Sequence, residues 1–132
     1  MSEVIDVEAK AESVLDYLRR RVGDDLRVIA YYDLETERFD SAFVRDDIRL
    51  EYGPEGLREF AREVVDLAGA PRQTPDDFPL GDNLADIGWY EDGVAVLVSP
   101  WENRGIIFSM EPDAAALAEL GEIISSVDAR LS

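Results

Sequence analysis

Five consecutive apolar residues, Val94-Ala95-Val96-Leu97-Val98, constrain the folding of this chain more than any other feature. Successive side chains of a strand point to opposite sides of a sheet, so an alternating strand hides one face and wets the other. This run hides both. It needs cover front and back, which puts it in the middle of a sheet with helices packed on either side. The Asp92-Gly93 turn precedes it and the Pro100-Trp101-Glu102-Asn103 loop follows. Residues 84–90, 94–99 and 104–110 therefore read as three consecutive strands.

The rest of the chain supplies the cover. Between residues 7 and 22, Val7, Ala11, Val14, Leu15, Leu18 and Val22 fall on one arc of a helical wheel, and Gly23 provides the stop. A strand over Leu26 to Leu34 is expected to set Leu26, Val28, Ala30 and Tyr32 against Arg27, Ile29, Tyr31 and Asp33. A second strand runs from Phe39 to Ile48, with Asp46-Asp47 as an early end point. Gly53-Pro54-Glu55 then opens a second helix, in which Leu57, Phe60, Ala61, Val64, Val65, Leu67 and Ala68 form the apolar side, and Gly69 stops it. Residues 70–83, with Pro71, Pro75, Pro79 and Gly81, read as a long connector. A last helix, from Asp113 to about Leu131, carries a stripe of Leu117, Leu120, Ile124, Val127 and Leu131. Beside it lies a second stripe of small residues, Ala114, Ala118, Gly121 and Ser125. The two cover about twice the arc that one-sided packing requires, so a neighbouring helix of the same chain, or a subunit interface, is expected on the second side. The whole is an α+β fold of order α-β-β-α-β-β-β-α, in three layers with a five-stranded sheet, and residues 1–132 form one domain.

Charge limits the function classes. The chain has 132 residues and a formal net charge of −17, and successive thirds carry −5, −6 and −6. The 46% hydrophobic content is too rich for a disordered acidic tail, and the even spread differs from a nucleic-acid-mimicking block. Lys10 is the single lysine beside 12 arginines. An evenly acidic, lysine-poor surface suits a salt-loaded cytoplasm, because the Debye length falls to about 3 Å in molar salt and self-repulsion is screened. Only Arg19-Arg20-Arg21 clusters basic charge, so neither nucleic acid nor an anionic membrane is expected as partner. These three arginines read as the close of the first helix, with Asp16 in reach of Arg19 and Arg20, or as a docking patch. The absence of a long apolar run and of a signal-like N-terminus makes a cytoplasmic location the expectation.

Catalytic options are few. With no His and no Cys, the chain lacks a thiol nucleophile, a Ser-His-Asp relay and the usual zinc ligands. Two carboxylate groupings, Asp46, Asp47 and Glu51, and Asp76, Asp77 and Asp82, have the composition for a hard cation, but neither has calcium-loop spacing. No cofactor or metal is expected, and the chain reads as non-catalytic.

The segment from Asp92 to Pro100, followed by Arg104-Gly105-Ile106-Ile107-Phe108 and the closing helix, resembles the final hairpin and helix of the roadblock, or dynein-light-chain-type, domain family. The element order is similar over nearly the whole chain, with residues 46–52 as an extension between the second strand and second helix. The resemblance implies an antiparallel sheet with the first and third helices on one face and the second on the other. It also implies a homodimer through the second helix and third strand, and a role as regulator or scaffold, with a small GTPase as a further partner. The chain is similar as well to small acidic proteins of haloarchaea, which bears on habitat.

The interface candidates are accordingly Leu57, Phe60 and Val64 of the second helix, Trp89 and Tyr90 at the end of an edge strand, Trp101 in its loop, and the small stripe Ala118, Gly121 and Ser125. The alternative is a small-ligand sensor of profilin-like type, in which the 70–83 loop and Trp101 close over the sheet. The charge argument carries its own prediction: the thermal unfolding midpoint rises between dilute buffer and molar potassium chloride, and equal midpoints refute it.

Overall fold

The computed structural model describes residues 6–68 and 83–132. Its elements are α1 (Val7–Val22), β1 (Leu26–Asp33), β2 (Arg38–Val44), α2 (Asp46–Ala68), β3 (Asp86–Tyr90), β4 (Gly93–Trp101), β5 (Arg104–Met110) and α3 (Leu120–Leu131). Short 3₁₀ turns precede β1 and α3. All pairings are antiparallel, in the sheet order β2-β1-β5-β4-β3. The expected order of elements and the five-stranded α+β architecture are those observed.

Two cores flank the sheet. On one face, Val7, Ala11, Val14, Leu18 and Val22 of α1 and Ile123, Ile124, Val127 and Leu131 of α3 bury Ile29 and Tyr31, Val94, Val96 and Val98, and Ile106 and Phe108. On the other, Ile48, Ala61 and Val64 of α2 cover Val28, Ala30, Tyr32, Ala95, Leu97 and Ile107. The doubly apolar run is thus divided between the cores residue by residue, as its pattern requires. The helix begins at Asp6, whose carboxylate accepts from the Ala9 N–H at 3.1 Å, an N-cap that satisfies one of the four free donors of the first turn.

Several boundaries differ from the sequence expectation, each for a local reason. Leu26 joins the α1/α3 core while Val28, two residues on, joins the α2 core. An irregularity in the β1–β5 register between these residues shifts the alternation, as an extra residue in one strand does. Strand β4 runs on to Trp101 because a second register shift after Val98 absorbs Pro100, leaving Glu102-Asn103 as the turn. The final helix is shorter than expected: Ala115–Glu119 is 3₁₀, where residues advance 120° instead of 100°. The small stripe drawn at helical spacing is therefore split, with Ala114 buried and Ala118, Gly121 and Ser125 exposed. No helix of this chain covers those three among the described residues, although α1 does pack beside α3. Gly69 and nearly all of the proline-rich connector lie outside the described residues.

The largest correction is at residues 46–52. They are helical, not the end of β2 and an extension, and Gly53 (φ 68°, ψ 171°) breaks the stretch into two segments before Pro54 restarts it. A side chain there would be strained at that positive φ, whereas glycine adopts it freely. The first segment turns Ile48 onto the sheet, only 2% exposed, and leaves Leu50 88% exposed. In a strand, positions 48 and 50 would share a face. Ile48→Ala is therefore expected to cost about 2–5 kcal/mol and Leu50→Ala about 0.5 kcal/mol or less, read by denaturant unfolding; equal costs would contradict the helix.

Candidate functional site

One helix cannot cover a five-stranded sheet. Four strand spacings span roughly 19 Å, against about 10–12 Å for a helix with its side chains. Among the described residues, the face with α1 and α3 has two helices, whereas the opposite face has α2 alone, and α2 is bordered by a cleft on either side. The first, of about 380 Å³, opens between α2 and the β3–β4 turn. The second, of about 370 Å³, lies over β1 and β2 and is lined by charged and polar groups of both signs, among them Asp40, Ser41, Arg49 and Arg58.

The first cleft is built by both segments of α2. Ile48 and Leu57, from either side of the Gly53 break, line it with Val28, Val64 and Ala95. Tyr52, Phe60 and Tyr90 contribute rings, and Glu63, Glu91 and Asp92 contribute carboxylates. The ring of Tyr90 lies over Gly88, where a Cβ would come within 2.9 Å of it, so the glycine lets that ring lie flat along the strand.

Of the nine expected interface residues, the structure gathers Leu57, Phe60, Val64 and Tyr90 around this cleft. Val64 is buried and Leu57 and Phe60 are half-buried against the sheet, so these three turn inward. Trp89 is exposed and pairs across with Val94, which puts it on the α1/α3 side, opposite Tyr90. Trp101 packs against the α1/α3 core, away from the cleft. Ala118, Gly121 and Ser125 stand apart in solvent. Ile48 and Tyr52 were missed because residues 46–52 were read as non-helical; their i, i+4 spacing just before Gly53-Pro54 was the available signal.

Beneath the cleft, ion pairs tie the ends of several elements. Arg45, between β2 and α2, donates to Asp47 at 2.6 and 2.9 Å, to Glu111 after β5 at 2.6 Å, and to the Asp24 carbonyl at 2.7 Å. Arg27 of β1 reaches the same Glu111 oxygen at 3.1 Å. The Arg45 hydrogen bond, then that of Arg27, holds the Glu111 carboxyl below its ordinary range, and Arg45 does the same for Asp47. Asp47 is thus committed within the first carboxylate grouping, while Asp76, Asp77 and Asp82 lie outside the described residues. Among the described residues no three acidic side chains converge as a metal site, and no helix is long and apolar enough to cross a membrane. The helix-end arginines take other partners than Asp16's carboxylate: Arg21 pairs with Glu119 at 2.7 Å, Arg20 donates to the Asp16 carbonyl, and Arg19 lies over Phe43.

A carboxyl whose pKa is lowered by folding stabilises the fold above its ordinary pKa, and that stabilisation is lost as pH falls through the folded value. In molar salt, Glu111→Gln is expected to cost about 1.5–3 kcal/mol near neutral pH, with the gap to wild type closing only in acid, as the pH falls beneath the ordinary glutamate range and through the lowered folded value, where both side chains become uncharged. Denaturant unfolding at the two pH values checks it; a gap that persists in acid would assign the loss to packing.

Comparison with curated proteins and with solved structures returns no match. One family profile does match, described as a domain of unknown function, DUF7522, and it spans residues 12–132, from the first turns of α1 through the end of α3. By that match over most of its length, the chain belongs to the DUF7522 family.

Proposed function

We propose that the chain is a non-catalytic interaction module that self-associates through the outer edge of β3. The observation that carries this reading is the contrast between the two edges of the sheet. An edge strand offers unpaired N–H and C=O groups to any passing strand, and proteins commonly blunt it with charge. The β2 edge is guarded in that way: Arg38 and Asp40 are exposed on it, and Arg38 also reaches Glu8 at 3.1 Å. The β3 edge instead exposes Ile87 (50%) and Trp89 (64%), and among the described residues no strand pairs with it. Leu84, just before it, is exposed as well. In a chain this acidic, such a row of apolar side chains beside open backbone groups favours strand addition, with Trp89 as the anchor.

A second copy is the partner proposed, because antiparallel β3–β3 pairing would continue the sheet across a two-fold axis and cover Trp89 in both copies. High salt would screen the repulsion between two such anions. Sedimentation in molar potassium chloride is expected to give a dimer, and the double variant Ile87→Lys, Trp89→Glu a folded monomer whose thermal midpoint, unlike that of the wild type, does not depend on protein concentration. A monomeric wild type at all accessible concentrations, or a variant that stays dimeric, refutes the reading.

A further inference from the structure

We propose that the cleft between α2 and the β3–β4 turn is a binding site for an organic ammonium ion with an apolar body. Its volume of about 380 Å³ is within the range of small-molecule sites, roughly 300–1,000 Å³. Its lining is divided by chemistry. The walls are aliphatic, with Ile48 and Leu57 on the helix side and Val28 and Ala95 on the sheet side, which suits a hydrocarbon or ring. The rings of Tyr52, Phe60 and Tyr90 offer π faces that attract cations.

The charge around the cleft is mostly negative. Glu63, Glu91 and Asp92 contribute carboxylates, and among the described residues Arg27 is the one cation in the lining. Its guanidinium is already engaged by Glu111 at 3.1 Å, so it does not offset them. An anionic ligand would meet this potential with nothing to neutralise it. A bare metal ion is a poor fit too, because among the described residues no three carboxylates converge to replace its water shell. The ligand that satisfies both parts carries its positive charge on carbon-rich nitrogen: the ammonium faces the carboxylates and rings, and the body fills the aliphatic space. The site is on the sheet face opposite Trp89 and does not depend on self-association.

The test is a titration of isotope-labelled protein, at the lowest potassium chloride concentration that keeps it folded, with three probes of one shape: 2-phenylethylammonium, neutral 2-phenylethanol and anionic 3-phenylpropionate. The ammonium is expected to bind about tenfold more tightly than the alcohol, with the carboxylate weakest. Amide shifts are expected at Ile48, Leu57 and Gly93. Leu57→Trp, which fills the cleft, is expected to abolish all binding. The exposed pair Glu63→Gln, Asp92→Asn, which leaves the fold's packing intact, is expected to keep alcohol binding while erasing the preference for ammonium. Equal binding of the three probes, shifts outside the cleft, an unchanged preference in the charge variant, or no binding by any probe would each overturn the proposal.

Discussion

Three neighbouring strands, β1, β5 and β4, are apolar on both faces, and everything else in the molecule is arranged to keep water off the two sides. On one side the chain commits two helices, which together seal the sheet over Ile29, Val96 and Phe108. On the other it commits one, broken at Gly53 so that its first segment can bring Ile48 down where a straight helix would pass by. The broken helix spreads its cover across more of the sheet than its diameter would allow. Clefts remain to either side of it, because the sheet is wider than the helix laid on it.

The arginines have a structural use that the charge count conceals. Arg45 and Arg104 each bind two carboxylates: Arg45 bridges Asp47 and Glu111, and Arg104 of β5 reaches Asp33 at 3.0 Å and Glu35 at 2.8 Å at the end of β1. Four more lie over aromatic rings: Arg19 on Phe43, Arg38 on Tyr31, Arg62 on Phe39 and Arg130 on Tyr17. The planar guanidinium suits both roles, since it can bind two carboxylates at once and stack flat on a ring, which a lysine ammonium on its flexible stem cannot. A chain that carries so many acidic groups and a single lysine thus uses most of its few cations as ties between elements.

Legibility from sequence followed the length and regularity of each signal. The α1 stripe was readable because it repeats over four turns without interruption, and five of its six residues are buried with Leu15 half-buried. The run Val94–Val98 was readable because only one arrangement covers both its faces. Residues 46–52 were not, since a seven-residue segment before a glycine offers only two turns of periodicity, and Ile48 and Leu50 also fit a strand. The last helix misleads for the opposite reason: its pattern is clear, but a 3₁₀ start after Ala114 breaks the line that an α-helical wheel draws, leaving Ala114 buried and Ala118, Gly121 and Ser125 exposed. The cleft was half legible. Leu57, Phe60, Val64 and Tyr90 were singled out as surface residues, and only the tertiary packing of α2 shows that they converge with Tyr52 around one space.

The position of β5 has a consequence for how the chain reaches this state. The hairpin β1–β2 and the hairpin β3–β4 do not pair with each other; β5, from Arg104 to Met110, is the strand that pairs with both. Tyr31 faces Ile106 across β5, and Val96 faces Phe108, so neither half has its inner neighbour until nearly the last residues are present. On a ribosome the first hundred residues would emerge as two unpaired hairpins with amphipathic helices and no shared core. Closing loops of that size before any contact repays the entropy makes for slow, late and cooperative assembly. Truncation before Arg104 would then leave two separate hairpins where the chain with β5 has one sheet.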